Sequence, residues 1–208
     1  MIESHTLFIF FSTALLLALS PGPDNLFVIA QSAQNGRKAG FAVTLGLCTG
    51  LVGHTLAVAF GLAAVVQASA MAFMILKTAG ALYLLYLAWQ AWRAGAVNDQ
   101  AAAVPALSDL DLYRRGIIMN LTNPKVSLFF LAFLPQFADP RHGSMALQFL
   151  QLGAVFIFAT MIVFGGLSLA AGGLGDRFRR SPSSLQFINR VASAVFVGLA
   201  LKLALSER

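Results

Sequence analysis

The sequence is poor in the residues that most enzymes and disulfide-stapled proteins depend on. It contains one cysteine, Cys48, and it lies inside an apolar run, so a disulfide within the chain, a thiolate metal site and a thiol relay are all excluded. Cys48 reads as a small packing residue, since free cysteine is among the most buried residue types. Histidine occurs three times, and His5 and His142 fall at terminal or loop positions. No helical metal-ligand spacing, no Ser–His–Asp order of suitable spacing and no phosphate-binding glycine loop is present. An ATP-driven process within this chain is therefore excluded, and no cofactor is expected. Charge is scarce as well: Asp, Glu, Lys and Arg together make up 11% of the residues, against about 25% in ordinary soluble domains.

What fills the sequence instead is apolar. Hydrophobic residues make up 58% of the 208, with 18 Phe and 18 Gly, where a soluble domain has roughly 45–50% apolar residues. Uncharged runs long enough for a bilayer core, about 20 residues each, recur along the chain. The spacing predicts an all-α membrane protein of six transmembrane helices, over 7–33, 40–66, 71–92, 116–137, 147–172 and 185–205. Helices are required because the bilayer interior offers the backbone no water to bond. The alternating ten-residue segments of a β-barrel are missing. Leu7–Leu19 followed by Ala18-Leu19-Ser20 has the outline of a secretory signal, but no basic residue precedes it and Pro21 follows the cleavage point, so it reads as the start of the first helix.

Breaker residues predict the connections at 34–38, 67–69 (Gln67-Ala68-Ser69), 93–115, 138–143 and 173–184. The net charge of +6 is explained by orientation in a membrane rather than by nucleic acid. Arg37, Lys38, Arg93, Arg114, Arg115, Arg177, Arg179 and Arg180 fall in the first, third and fifth connections. Only Arg141, Lys202 and Arg208 fall in the others or at the ends. The positive-inside rule then puts the first set in the cytoplasm and both termini outside. A five-span arrangement with the N-terminus inside is the second choice. The chain reads as a single transmembrane domain: one repeat over about 1–95, a cytoplasmic loop over about 94–114, and a second repeat over about 115–208.

Two spans are interrupted at their middles, the first at Ser20-Pro21-Gly22-Pro23-Asp24-Asn25 and the fourth at Asn120-Leu121-Thr122-Asn123-Pro124-Lys125. Proline removes a donor and clashes with the preceding turn, so both helices should break. Asn123-Pro124 matches an N-cap followed by proline at the first helical position, and Ser20-Pro21 is open to the same reading. Pro23 aligns with Pro124 and Asp24 with Lys125, while the region of Lys77 corresponds to Asn189-Arg190. With three spans per half, the halves point in opposite directions. Interrupted helices at matching places in an inverted repeat are the sequence pointer to a transport site.

Asp24 and Lys125 at membrane depth are costly and so read as functional, set against a permanent pair that only ties the halves together. Asp24 is a candidate for a substrate ammonium or a coupling proton, and Lys125 for a carboxylate. His54, Lys77 and Arg190 are the other ionisable residues near or inside spans. His54 reads first as a packing histidine and second as a proton carrier. Lys77 is balanced between snorkelling and function, and Arg190 reads as structural or interfacial. Gly46, Gly50, Gly53, Ala57 and Gly61 share one narrow face of the second helix, suited to close helix contact within a monomer or in a homodimer. Trp89 and Trp92 sit where an interfacial belt is expected, and Tyr83 and Tyr86 read as packing before cavity lining.

Three segments carry a family resemblance. Ser20 to Asn25 with Gly36-Arg37-Lys38-Ala39-Gly40, then Lys77 to Trp89, then Gly116 to Lys125 with Phe133-Leu134-Pro135-Gln136-Phe137, together resemble the lysine exporter family (the LysE/RhtB group). Ala88 stands where many relatives have glycine. The resemblance covers essentially the whole chain. It implies a bacterial inner-membrane exporter of amino acids or related metabolites, driven by the proton-motive force, with lysine, arginine, homoserine, threonine and leucine among the solutes of the group. It draws attention to Pro21, Gly22, Pro23, Asp24, Asn25, Lys77, Asn120, Asn123, Pro124 and Lys125. The expected partners are a small amino acid, protons and the lipid bilayer, without nucleic acid. Asp24 is the one acid at membrane depth and is offset by Lys125, which favours a neutral, homoserine- or threonine-like solute. A basic amino acid, or a metal or inorganic ion, is the alternative. A membrane redox or scaffold protein is the reading from a different class.

Overall fold

The computed structural model describes residues 2–20, 22–62, 70–93, 107–179 and 182–205. Among these residues every regular element is helical. In chain order they are α1 (Ser4–Leu19), α2 (Pro23–Asn35), α3 (Arg37–Ala57), α4 (Ala70–Arg93), α5 (Asp109–Leu121), α6 (Pro124–Leu128), α7 (Met145–Arg179) and α8 (Pro182–Leu205). A π-helical turn, Val58–Leu62, continues α3, and a second one, Phe129–Phe133, continues α6 into a 3₁₀ turn at Leu134–Phe137. Pro135 accounts for the second irregularity. It has no N–H to give the preceding turn and crowds the carbonyl four residues back. The chain accordingly widens before it and tightens around it.

Arg37–Gly61 and Met145–Ala171 are each long and apolar enough to cross a membrane. The pairs α1–α2 and α5 with Pro124–Phe137 also qualify if each is one bent span, with bends of 64° and 48°. Helices α4 and α8 have 24 residues each, a length of about 36 Å at 1.5 Å per residue. Large apolar side chains such as Phe60, Met71, Leu147 and Phe158 are exposed on the outside of the bundle, where lipid rather than water suits them.

Several boundaries differ from the sequence expectation. The connection expected at 34–38 is the single residue Gly36, whose φ of 86° lets the chain reverse where a side chain would be strained. The long connection expected to reach Arg115 ends earlier. Ser108 caps α5 by accepting from the Asp111 N–H at 3.2 Å, and Asp109 and Asp111 occupy the positive end of the helix. In place of a loop from Gly173, α7 continues to Arg179 and α8 restarts at Pro182. Glycine inside a helix costs only about 1 kcal/mol, so Gly172 and Gly173 do not end one. The turn expected at Gln67-Ala68-Ser69 lies outside the described residues.

The glycine face of α3 packs on α5. A β-carbon on Gly46 would run into the Tyr113 carbonyl, and one on Gly116 into the Val43 carbonyl. Gly50 lies against Asn120 and Gly53 against Leu121, while Gly61 faces open space. From Gly46 to Gly53 this surface is used within the chain. Helix α7 packs along α1, α2 and α3, and α4 pairs with α8.

Two apolar clusters form. One gathers Phe10, Leu17, Phe129, Phe130, Phe133, Phe149 and Phe156 with residues of α4 and α8. The other gathers Val28, Val43, Leu47, Leu112 and Phe164. The first cluster draws on α1 and the chain following Pro124. The second draws on α2 and α5. The polar residues of both breaks therefore lie between the clusters.

Candidate functional site

Each break is built by local chemistry. Ser20 takes the extended conformation that the residue before a proline prefers, at φ −59° and ψ 130°, and its N–H closes the last turn of α1 on Leu16. Ser20 is thus the C-cap of α1. The expectation that Ser20-Pro21 would start the second half-helix is corrected: the N-cap is Gly22, and Pro23 stands at the first helical position. Pro21 itself lies outside the described residues. Gly22 has an extended backbone, so its role is one of space. A β-carbon there would lie 2.8 Å from Asp24 Oδ1 and 3.0 Å from Lys125 Nζ. In the other break the expected cap is present: Asn123 Oδ1 accepts from the Lys125 N–H at 3.0 Å, and Pro124 takes the first helical position. Asp24 and Lys125 therefore occupy the same place in their half-helices, one residue after the proline.

These two residues meet. Lys125 Nζ lies 3.7 Å from Asp24 Oδ1, and both side chains are about 95% buried. The ammonium also donates to the carbonyls of Ser20 at 3.2 Å and Leu17 at 3.4 Å. Asn25 Nδ2 donates to the Ala18 carbonyl at 2.7 Å. The last turn of α1, whose carbonyls have no partner within the helix, is thus capped by side chains from the two half-helices that follow the breaks. The charges suit their surroundings: Asp24 sits at the positive start of α2, and Lys125 reaches the negative end of α1.

Among the described residues, Asp24 Oδ1, Asn25 Oδ1, Asn120 Oδ1 and Thr160 Oγ1 are buried without a hydrogen-bond partner. A cavity of about 10 Å³ adjoins this layer, lined by Asp24, Asn120, Lys125 and Thr160 and walled by Leu17, Ala18, Leu51, Val126, Phe156 and Phe164. It is near the lower limit for one water, so the site is closed around the ion pair.

The remaining expected residues are distributed around the breaks or away from them. His54 is half-buried, with Nε2 3.2 Å from the Asn120 carbonyl and its ring 5.5 Å from that of Phe130. A carbonyl only accepts, so Nε2 carries the proton. His54 supports the second break without lining the cavity. Lys77 is not brought to the centre. Its Nζ donates to the Ala204 carbonyl at 3.4 Å, at the end of α8, the favoured place for a cation on a helix. Arg190, near the start of α8, lies 5.9 Å from the Trp92 ring at the end of α4. Trp89 stacks beneath Arg93, and Tyr83 packs on Tyr86. Among the described residues no group of three or more His, Cys, Asp or Glu side chains gathers in one place. The sequence alone does not single out Thr160. Its only signal is a hydroxyl in the middle of an apolar helix, a common and weak one.

Broken helices meeting at a buried ion pair, inside a bundle with an apolar exterior, mark the class of membrane proteins. The chain belongs to the LysE type translocator family, which matches it over residues 15–207. It is 33% identical to an uncharacterized membrane protein of Vibrio cholerae, over 99% of both chains. It is 34% identical to the homoserine/homoserine lactone efflux protein of Salmonella typhimurium, over 95% of both. It is 29% identical to the leucine efflux protein of an Enterobacter species, over 92% of this chain and 91% of the relative. No solved structure matches the chain at a significant level.

Proposed function

We propose that this protein exports small neutral amino acids in exchange for protons, and that the layer at Asp24 and Lys125 is the transport site. The buried pair at equivalent positions of two helix breaks carries this reading. An α-amino acid is a zwitterion with an ammonium and a carboxylate a few bonds apart. Asp24 and Lys125 offer the complementary charges, and each protein charge finds an opposite charge in both the empty and the loaded state. A buried ion that loses its partner is destabilised by several kcal/mol. Exchanging the internal pair for two solute pairs avoids that cost.

Proton coupling follows from competition at one carboxylate. Protonation of Asp24 removes the partner of the solute ammonium, so a proton arriving from outside expels the solute. Loss of that proton to the cytoplasm restores the carboxylate for the next solute. Asn25 and Asn123 hold the ends of the half-helices in place, Asn120 lines the cavity, and Gly22 leaves the room the pair needs. His54 holds the Asn120 carbonyl. We assign Lys77 and Arg190 to the α4–α8 pair.

The neutral preference is supported by the lining, which holds no acid besides Asp24 to receive a basic side chain. The relatives named for homoserine and leucine efflux point the same way. A metal site would gather several oxygen or sulfur donors, and a carboxylate beside an ammonium does not suit one.

We read the bundle as six spans in two opposed halves. The matching positions of Asp24 and Lys125 support this. So does the packing of α3 on α5 beside that of α7 on α1 and α2. Lys77 caps the end of α8 while Arg190 reaches the end of α4, as opposed halves would require. The basic connections then face the cytoplasm of a bacterial inner membrane, with both termini outside. The test is export of a panel of labelled amino acids from loaded proteoliposomes, with and without an imposed pH gradient. Gradient-stimulated export of neutral solutes is expected. Export confined to lysine and arginine, or insensitive to the gradient, refutes the reading.

A further inference from the structure

We propose that Thr160 is a specificity residue: its hydroxyl reads a hydrogen-bonding group on the side chain of the transported solute. The proposal rests on the reading that the cavity at Asp24 and Lys125 is the transport site. Thr160 lies in α7 and is 2% exposed. Among the described residues its Oγ1 has no hydrogen-bond partner, and Thr160 lines the same cavity as Asp24, Lys125 and Asn120.

A buried hydroxyl in a helix has a ready partner in the carbonyl four residues back. This protein uses it repeatedly. Ser32 donates to Val28, Thr44 to Gly40, Thr55 to Leu51 and Ser168 to Phe164, at 2.6–2.8 Å. Ser168 lies two turns further along the same helix as Thr160. Among the described residues Thr160 is the hydroxyl that is buried and unpartnered. Leaving a buried polar group unpaired is unfavourable, so a hydroxyl held off its backbone carbonyl, on a residue that lines a cavity, is one kept for a ligand.

The rest of the lining defines the class of ligand. Asp24 and Lys125 are its charged residues, and they are committed to the amino-acid zwitterion. Asn120 Oδ1, also unpartnered, contributes an acceptor. The remaining walls are aliphatic or aromatic. Thr160 supplies a donor and an acceptor on an otherwise apolar wall. That combination fits a short uncharged side chain ending in a hydroxyl or similar group. An apolar wall alone discriminates weakly between a hydroxyl and a methyl group, whereas a wall bearing a hydrogen-bonding group selects strongly for its partner.

The experiment compares isosteric pairs in proteoliposomes, L-threonine against L-valine and L-homoserine against L-norvaline. The wild-type protein should export the hydroxylated member of each pair faster. Thr160→Val should reduce the hydroxylated-to-apolar ratio by about tenfold, the value of one net hydrogen bond. Thr160→Ser, which keeps the hydroxyl, should hold the ratio near the wild-type value. An unchanged ratio in Thr160→Val overturns the proposal while leaving the transport site in place. Loss of all four solutes in both Thr160→Val and Thr160→Ala also overturns it, because Thr160 would then be structural. If the wild-type protein exports none of the four, the underlying reading fails and this one fails with it.

Discussion

Removing Lys125 should destabilise the protein more than neutralising Asp24, and removing both should cost less than the two single losses added together. At the 3.7 Å separation of the pair, the Coulomb attraction at an effective dielectric constant of about 20 is about 4.5 kcal/mol. Lys125→Met deletes that attraction and both hydrogen bonds to the Leu17 and Ser20 carbonyls. It leaves a buried carboxylate alone, so a loss of about 3–5 kcal/mol is expected. Asp24→Asn keeps the shape of the side chain and leaves Lys125 its two carbonyls, so about 1–3 kcal/mol is expected. The double variant removes both charges and should recover at least about 2 kcal/mol relative to the sum of the singles. The assay is reversible unfolding of the reconstituted protein, run as a double-mutant cycle. Additive losses, or a larger loss from Asp24→Asn than from Lys125→Met, would refute the reasoning.

Gly22→Ala should lower the transport rate with a stability loss of only about 1–3 kcal/mol, because the new methyl presses on the Asp24 and Lys125 side chains; transport and unfolding measured on the same preparation check this. Gly116→Ala meets backbone rather than side chains and should prevent folding or cost more than about 3 kcal/mol. Gly198→Ala, with open space around it, should be neutral or stabilising by up to about 1 kcal/mol, and the yield of monodisperse protein in detergent compares the two. In the connection before α7, the Arg141 side chain and N–H hydrogen-bond Asp139 and outweigh the small effect of burial, holding its pKa down to about 2 against 3.8 for a free carboxyl. A depressed pKa means that the contribution of this clamp is complete above about pH 3.8 and is lost as the pH falls towards 2. NMR titration of the Asp139 carboxyl checks it, and a midpoint near 3.8 would contradict it.

Features governed by adjacent residues were legible in the sequence. Asn123-Pro124 caps and starts a helix because both effects act within one turn. The meeting of Asp24 and Lys125 was legible because two isolated charges in apolar spans have few other places to go. The role of Ser20 is ambiguous in the sequence, since a serine before a proline suits either a C-cap or an N-cap and only the path of the chain decides. The destination of Lys77 depends on how α4 and α8 pair across the bundle, which no local pattern encodes. The extension of α7 past Gly173 reflects tertiary support overriding a weak local signal. Thr160 was invisible for a similar reason: a helical threonine ordinarily satisfies itself, and its failure to do so appears only in the folded chain.

The most direct test of the account is uphill export by the Asp24→Asn variant, assayed in proteoliposomes under an imposed pH gradient with the wild-type protein alongside. Wild-type protein should export a neutral amino acid against its concentration gradient. The variant, correctly inserted, should lose gradient-driven export, because a carboxamide neither binds nor releases the coupling proton. Full uphill export by Asp24→Asn would contradict the account, since the charge at the centre of the site would then be dispensable.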